Sequence, residues 1–190
     1  ADPTYKAVEI DGLLFLALRN RGADKILKMG DLEGGNYDLA LAERFGPLDV
    51  EAQGYLNWSR MYITGASFWE INWKETINYF SQVAPLAPNL RDGSGWTATE
   101  RYRLASIHYA EQLLAAEDAC AAVENFDVAL SMGNLVDEKG RTYDEMYNQA
   151  AAACQGQSDE GEEGEDQEEG EPAPPPDAPP AEGTPQGDGL

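Results

Sequence analysis

Positive charge is scarce in this chain and histidine almost absent. Its 190 residues include 13 Lys and Arg against 35 Asp and Glu, for a net charge of −22, and His108 is the single histidine. Binding nucleic acid requires clustered Lys and Arg to neutralise phosphates, and this balance argues against it. It argues equally against an anionic membrane surface. One histidine cannot supply the ligand sets that hold zinc, and no nucleophile motif accompanies it. Long apolar runs are missing too. The six residues from Leu13 to Leu18 fall far short of the ~20 that span a bilayer, and suit a buried face instead. The chain opens on Ala1, not Met, and shows no signal-peptide pattern, which reads as a processed form, an excised segment or an incomplete gene product, with an upstream signal or anchor left open.

A second set of absences divides the chain. From Asp159 to Leu190 there is no Lys, Arg, aromatic, Ile, Val or Met, while 12 acidic residues fall there. Such a segment has no apolar surface with which to offset an ordering entropy of ~1–2 kcal/mol per residue. Residues 158–190 are therefore expected to form a disordered acidic tail, rich in Pro and Gly. The run Pro174-Pro175-Pro176 favours extended polyproline II. A solvating spacer is the plain reading of this tail, and a Pro-rich ligand for an aromatic groove the sharper one. Residues 1–157 hold every aromatic and both cysteines, enough for one domain.

Within that body, apolar residues recur at helical intervals. Leu104, Ile107, Leu113 and Leu114 share one spacing, and Ala122, Phe126, Ala129 and Leu130 lie on one helix face. No run shows sustained strand alternation. Starts are marked by capping chemistry: Thr97 with Glu100, Thr142 with Glu145, and more weakly Asn72 with Glu75. The spacing predicts an all-α body of seven helices. They fall near 4–20 (continuing toward 28), 36–45, 49–65, 72–83, 97–116, 118–132 and 142–154, with 30–35 as a turn. Arg19, Arg21, Lys25 and Lys28 form the most evident basic cluster, read as solvated surface.

One pattern recurs three times. Its clearest copy places Tyr109-Ala110, Leu113, Glu117-Asp118, Ala122, Phe126 and Ala129 in order. The second copy has Ile63-Thr64, Ile71-Asn72, Thr76, Phe80, Val83 and Pro88. The first has Gly30-Asp31, Gly35, Leu39, Ala42 and Pro47. This resembles the tetratricopeptide repeat, a helix-turn-helix in which small residues let neighbouring helices approach and large ones fill the wedge between them. The resemblance implies a solenoid of about three α-hairpins with a capping helix. It also implies a non-enzymatic protein–protein interaction module, needing no cofactor, that takes a protein or peptide partner in its concave groove. Carried over residue by residue, that groove is lined by Trp58, Met61 and Trp69 in the second copy, and by Leu104, Ile107, Glu111 and Leu114 in the third. Exposed aromatics beside acids would suit a partner with apolar anchors and some Lys or Arg. An accessory or substrate-binding domain of a larger envelope or enzymatic assembly is the alternative. A third reading is a small-molecule or metal-handling protein that uses the acidic tail.

The cysteines give the last expectation. Cys120 opens one predicted helix and Cys154 closes the next, and in an antiparallel hairpin those ends lie side by side. A disulfide there would place the protein in an extracytoplasmic compartment, secreted or surface-anchored; two buried thiols would instead suit the cytoplasm.

Overall fold

The computed structural model describes residues 6–137 and 139–162. Seven α-helices follow in order: α1 (Ala7–Asp24), α2 (Leu32–Ala42), α3 (Val50–Ser67), α4 (Trp73–Val83), α5 (Ala98–Ala115), α6 (Ala119–Ser131) and α7 (Tyr143–Glu162). A π-helical turn, Lys25–Met29, extends α1. No strand occurs among the described residues, which contain two isolated β-bridges. Helices consecutive in sequence pack pairwise from α1·α2 through to α6·α7. The body is thus all-α, as its spacing predicts.

Capping sets the helix starts. Asp31, Asp49, Asn72, Thr97 and Asp118 each accept a backbone N–H three residues ahead. At Thr97 the capping box is complete, with the Glu100 carboxylate accepting the Thr97 N–H at 2.8 Å. The Asp31 cap explains one departure from the sequence reading. Helix α2 begins at Leu32, four residues earlier than its apolar spacing suggests, because the capped amide of Gly34 lies inside the first turn. Each turn between a long helix and the short one after it also contains a left-handed residue: Gly30 (φ 71°), Glu70 (φ 63°) and Glu117 (φ 62°).

Three positions on each short helix are buried alike. They are Gly35, Leu39 and Ala42 on α2; Thr76, Phe80 and Val83 on α4; and Ala122, Phe126 and Ala129 on α6. Opposite them stand small residues of the long helices. A Cβ added at Gly22 would lie 2.8 Å from Leu39 Cγ, and one added at Gly65 would lie 2.8 Å from Tyr79 Cβ and 3.0 Å from Phe80 Cε2. The small residue facing Phe80 is therefore Gly65, not the adjacent Thr64, which is only half-buried. Gly35 stands where the repeat pattern calls for Ala, because at this crossing α1 comes too close for a methyl group. An added Cβ there would lie 2.8 Å from the Gly22 carbonyl oxygen.

The buried apolar residues form two clusters. One joins Ile26, Leu39, Leu56, Tyr62, Phe80 and Leu90; the other joins Ile107, Phe126, Tyr143, Met146 and Ala150. Helix α5 reaches into both, with Ala98 in the first and Ile107 and Ala110 in the second.

Polar pairing ties the first two hairpins together. Asp38, buried on α2, binds Arg21 at 2.6 Å and Lys25 at 3.0 Å. Arg19 reaches Asp49 at 2.8 Å and Glu51 at 2.7 Å at the head of α3. Lys28 pairs with Asp24. The basic cluster is therefore not simply solvated: three of its four members bridge α1 to its neighbours. Arginine bonds lower the carboxyl pKa of Asp38 and Asp49 below ordinary values. The Leu13–Leu18 run departs from expectation as well. Leu18 is buried, but Leu13, Leu14 and Leu16 are 67%, 42% and 53% exposed, because α1 is the first helix and packs chiefly on α2.

Cys120 and Cys154 lie at disulfide distance, with Cα atoms 4.7 Å apart, joining the start of α6 to α7. Helix α7 runs to Glu162, eight residues beyond its expected end and into the segment read as tail. The rest of that segment lies outside the described residues. No helix among the described residues is long and apolar enough to cross a membrane.

Two outcomes test this packing. Reduction of the cysteine pair, whose partners are 34 residues apart, should lower stability by ~3–4 kcal/mol in the chain-entropy model. Thermal melts with and without reductant measure it, and an unchanged melt would rule the cross-link out. Gly35→Ala should cost ~2 kcal/mol by overpacking the α1–α2 crossing, read by denaturant titration.

Candidate functional site: a cleft along helix α5

Helix α5 is flanked by two loops built to one plan. Leu90, Asp92, Gly95, Thr97 and Glu100 recur 45 residues later as Leu135, Asp137, Gly140, Thr142 and Glu145. The geometry repeats with the sequence. The Leu90 carbonyl accepts the Ala98 N–H at 2.7 Å, and the Leu135 carbonyl accepts the Tyr143 N–H at 3.0 Å. A β-bridge closes each loop, Arg91 to Thr97 and Val136 to Thr142. Gly95 and Gly140 turn the chain with positive φ, and each donates its N–H to the carbonyl of Asp92 or Asp137. Of this repeat, the capping chemistry identified only the Thr-x-x-Glu ends. The identical spacing of Leu, Asp and Gly was the signal for the rest.

The two aspartates are anchored differently. Asp92 receives Arg101 from α5 at 2.9 Å. Arg101 is itself buried, donates to the Tyr62 hydroxyl at 3.0 Å and to Ser94 at 3.2 Å, and lies 4.8 Å from the Trp69 ring centroid. The Tyr62 hydroxyl donates onward to the Trp96 carbonyl at 2.5 Å. Burial raises the Tyr62 pKa, with Arg101 opposing. Asp137 is bound within its own loop by Arg141, at 2.6 Å, and Arg141 also reaches Glu111 of α5 at 2.6 Å. Burial alone would raise the Asp137 carboxyl. The backbone N–H and guanidinium of Arg141, with the Lys139 N–H, outweigh it and hold the group below its ordinary value.

Between these loops a cleft of ≈ 600 Å³ opens along α5. Arg103, Leu104, Ile107, His108 and Glu111 line its floor, spaced at one helix face. Trp69, Glu70 and Trp96 form one wall; Leu135, Val136, Asp137, Lys139 and Tyr143 form the other. An aromatic chain backs the first wall. Trp69 meets Trp73 edge-on at 5.0 Å, and Trp73 stacks on His108 at 4.7 Å. Two of the cleft carboxylates are paired from within, Glu111 with Arg141 and Lys139 and Asp137 with Arg141, while Glu70 of the first wall is exposed.

Of the seven groove residues inferred from the repeat resemblance, Trp69, Leu104, Ile107 and Glu111 lie together in this cleft. Trp58 lies elsewhere, lining a separate depression with Leu27, Leu86 and Pro88. Met61 is half-buried against the first core cluster and Leu114 against the second. Trp96, Arg103, Tyr143 and the second loop were not picked out, because they reach the cleft only through the folding of segments outside the first helix of each copy.

No family model, curated protein or solved structure matches the chain.

Arg101→Ala would leave Asp92 and the Tyr62 hydroxyl without their buried partner. The expected cost is ~3 kcal/mol, read by chemical denaturation, with a change in tryptophan emission from Trp69 and Trp96.

Proposed function

We infer that the protein is a non-enzymatic binding module built from tetratricopeptide-like α-hairpins, stacked as a short repeat array with α7 as the terminal cap. A protein or peptide segment is taken into the α5 cleft. Four features support the repeat reading: the three equivalent sets of buried residues on α2, α4 and α6, the left-handed residue in each hairpin turn, the consecutive pairwise packing, and the 45-residue recurrence of the loops. The observation that carries the binding reading is the cleft itself. It draws Trp69 and Trp96 from one side, Leu104 from α5 and Leu135 and Val136 from the second loop, and leaves aromatic and aliphatic surface open between them. Such surface gains most from burying apolar anchors of a partner. Because Glu111 and Asp137 are already paired, the partner is held through these apolar contacts more than through its Lys or Arg.

The second reading, an accessory or substrate-binding domain of a larger envelope-associated assembly, draws on the cleft's size, which falls within the ~300–1,000 Å³ of small-molecule sites. The Cys120–Cys154 pair suits an extracytoplasmic setting for either.

Leu104→Glu and Trp69→Ala should each weaken capture of the partner by at least about tenfold, roughly 1.4 kcal/mol; melting should stay within a few degrees for Leu104→Glu, whereas Trp69→Ala, which also removes the ring beside Arg101, should lower it. Leu86→Glu, on an exposed residue away from the cleft, should leave capture unchanged. Capture undiminished in both cleft variants would place the binding surface elsewhere.

A further inference from the structure

Helix α1 overhangs the fold at its N-terminal end. The chain leaving α2 meets it at Phe15, whose ring lies 3.6 Å from a Cβ added at Gly46, and every residue from Val8 to Leu14 is exposed. The overhang is nevertheless apolar. From Val8 to Leu18, Glu9 and Asp11 are the only charged residues. Ile10, Leu13, Leu14 and Ala17 stand at offsets of three, four and seven, which sets them in one row along the helix, and all four are exposed. Leu16, three residues beyond Leu13, borders the row and is exposed as well. A contiguous apolar row of this kind on a protein surface marks an interaction face.

We propose that this row is the contact through which two copies of the chain dimerise, α1 against α1, antiparallel about a two-fold axis. Three observations select a second copy as the occupant. First, the terminal segments outside the described residues, 1–5 and 163–190, contain Tyr5 and Leu190 but no other aromatic, Leu, Ile, Val or Met, so neither supplies a matching row. Second, the far end of the helix series is unlike this one. Helix α7 exposes Asp144, Glu145, Asn148 and Gln149, so the apolar end of one copy finds no apolar end to meet head to tail. A like end supplies one, and a surface that pairs with itself closes at two copies. Third, the pairing continues the packing already present, in which each helix lies against the next, and extends it to the outer side of the first. Charge permits the contact. The chain carries −22, but the row itself is uncharged, and repulsion between distant exposed charges fades beyond ~8 Å at physiological salt. A row this short covers less than the ~800 Å² per partner of a standard interface, so the dimer is weak, with a Kd on the order of 10 μM.

Sedimentation velocity on the full chain, from about 1 to about 200 μM, reads the association directly. The wild-type chain should shift from monomer to dimer across that range and go no further. Leu13→Glu places a charge in the row and should weaken dimerisation at least about tenfold, while the melting temperature of the dilute monomer stays unchanged because Leu13 is exposed. Leu86→Glu, exposed and outside the row, should dimerise as the wild type does. Raising salt from about 50 to about 500 mM should tighten the dimer, since screening relieves the repulsion between two acidic chains and leaves apolar contact intact. A chain that stays monomeric throughout overturns the proposal. So does a dimer that salt weakens, which ion pairs would hold, and so does an equal loss in Leu86→Glu. Growth past the dimer into open chains would replace the two-fold contact with a head-to-tail one. A monomer that binds uncharged phosphatidylcholine vesicles, and loses that binding in Leu13→Glu, would assign the row to a lipid surface instead.

Discussion

Arg101 is the joint on which the two halves of this protein turn. A guanidinium on the third long helix is carried into the interior, where it meets the Tyr62 hydroxyl of α3, the Asp92 and Ser94 groups of the connecting loop, and the face of Trp69. A buried charge is tolerated only when paired and hydrogen-bonded, so these partners are held in a nearly fixed arrangement. That arrangement pins the loop to α3, sets Trp96 at the rim of the cleft, and joins one core cluster to the other through α5. The second loop has the same backbone course, but its aspartate is bound by Arg141 from within. The two anchors leave α5 exposed between them, and the cleft is the gap that results.

The hairpins themselves are governed by close approach. Gly22, Gly35 and Gly65 have no room for a methyl group: at the α1–α2 crossing the backbones nearly touch, and at Gly65 the Tyr79 and Phe80 side chains of α4 fill the space. Large residues such as Leu39, Phe80 and Phe126 then fill the space that remains. The short helices α2, α4 and α6 are each buried on one face, while the long helices keep one face partly open. On α5 that open face is the cleft floor. On α1 it is apolar surface left in solvent at Leu13, Leu14 and Leu16.

Much of this was legible in local chemistry. Side-chain caps act within three residues, so Asn72 and Thr97 marked helix starts from sequence alone. The buried set on α6 followed from spacing, because a helix face has a fixed period; the set on α4 followed from the repeat resemblance. The cysteines were placed at opposite ends of adjacent antiparallel helices, and that is where they lie. What escaped local reading depended on distant partners. The start of α2 was set too late because two glycines within a capped first turn look like a loop. Arg19, Arg21 and Lys25 looked solvated because their acidic partners lie on other turns or other helices.

By itself, then, the sequence determined an all-α body, where its helices begin, which faces of the short helices are apolar, and which cysteines can meet. All of these depend on interactions a few residues apart or on the period of a helix. Tertiary structure alone decided that Trp69, Leu104, Ile107 and Glu111 share a cleft while Trp58 does not, and that Trp96, Arg103 and Tyr143 join them. Those outcomes depend on where two 45-residue-spaced loops fold back over α5. No local pattern encodes the distance between groups that are brought together only when the helices pack.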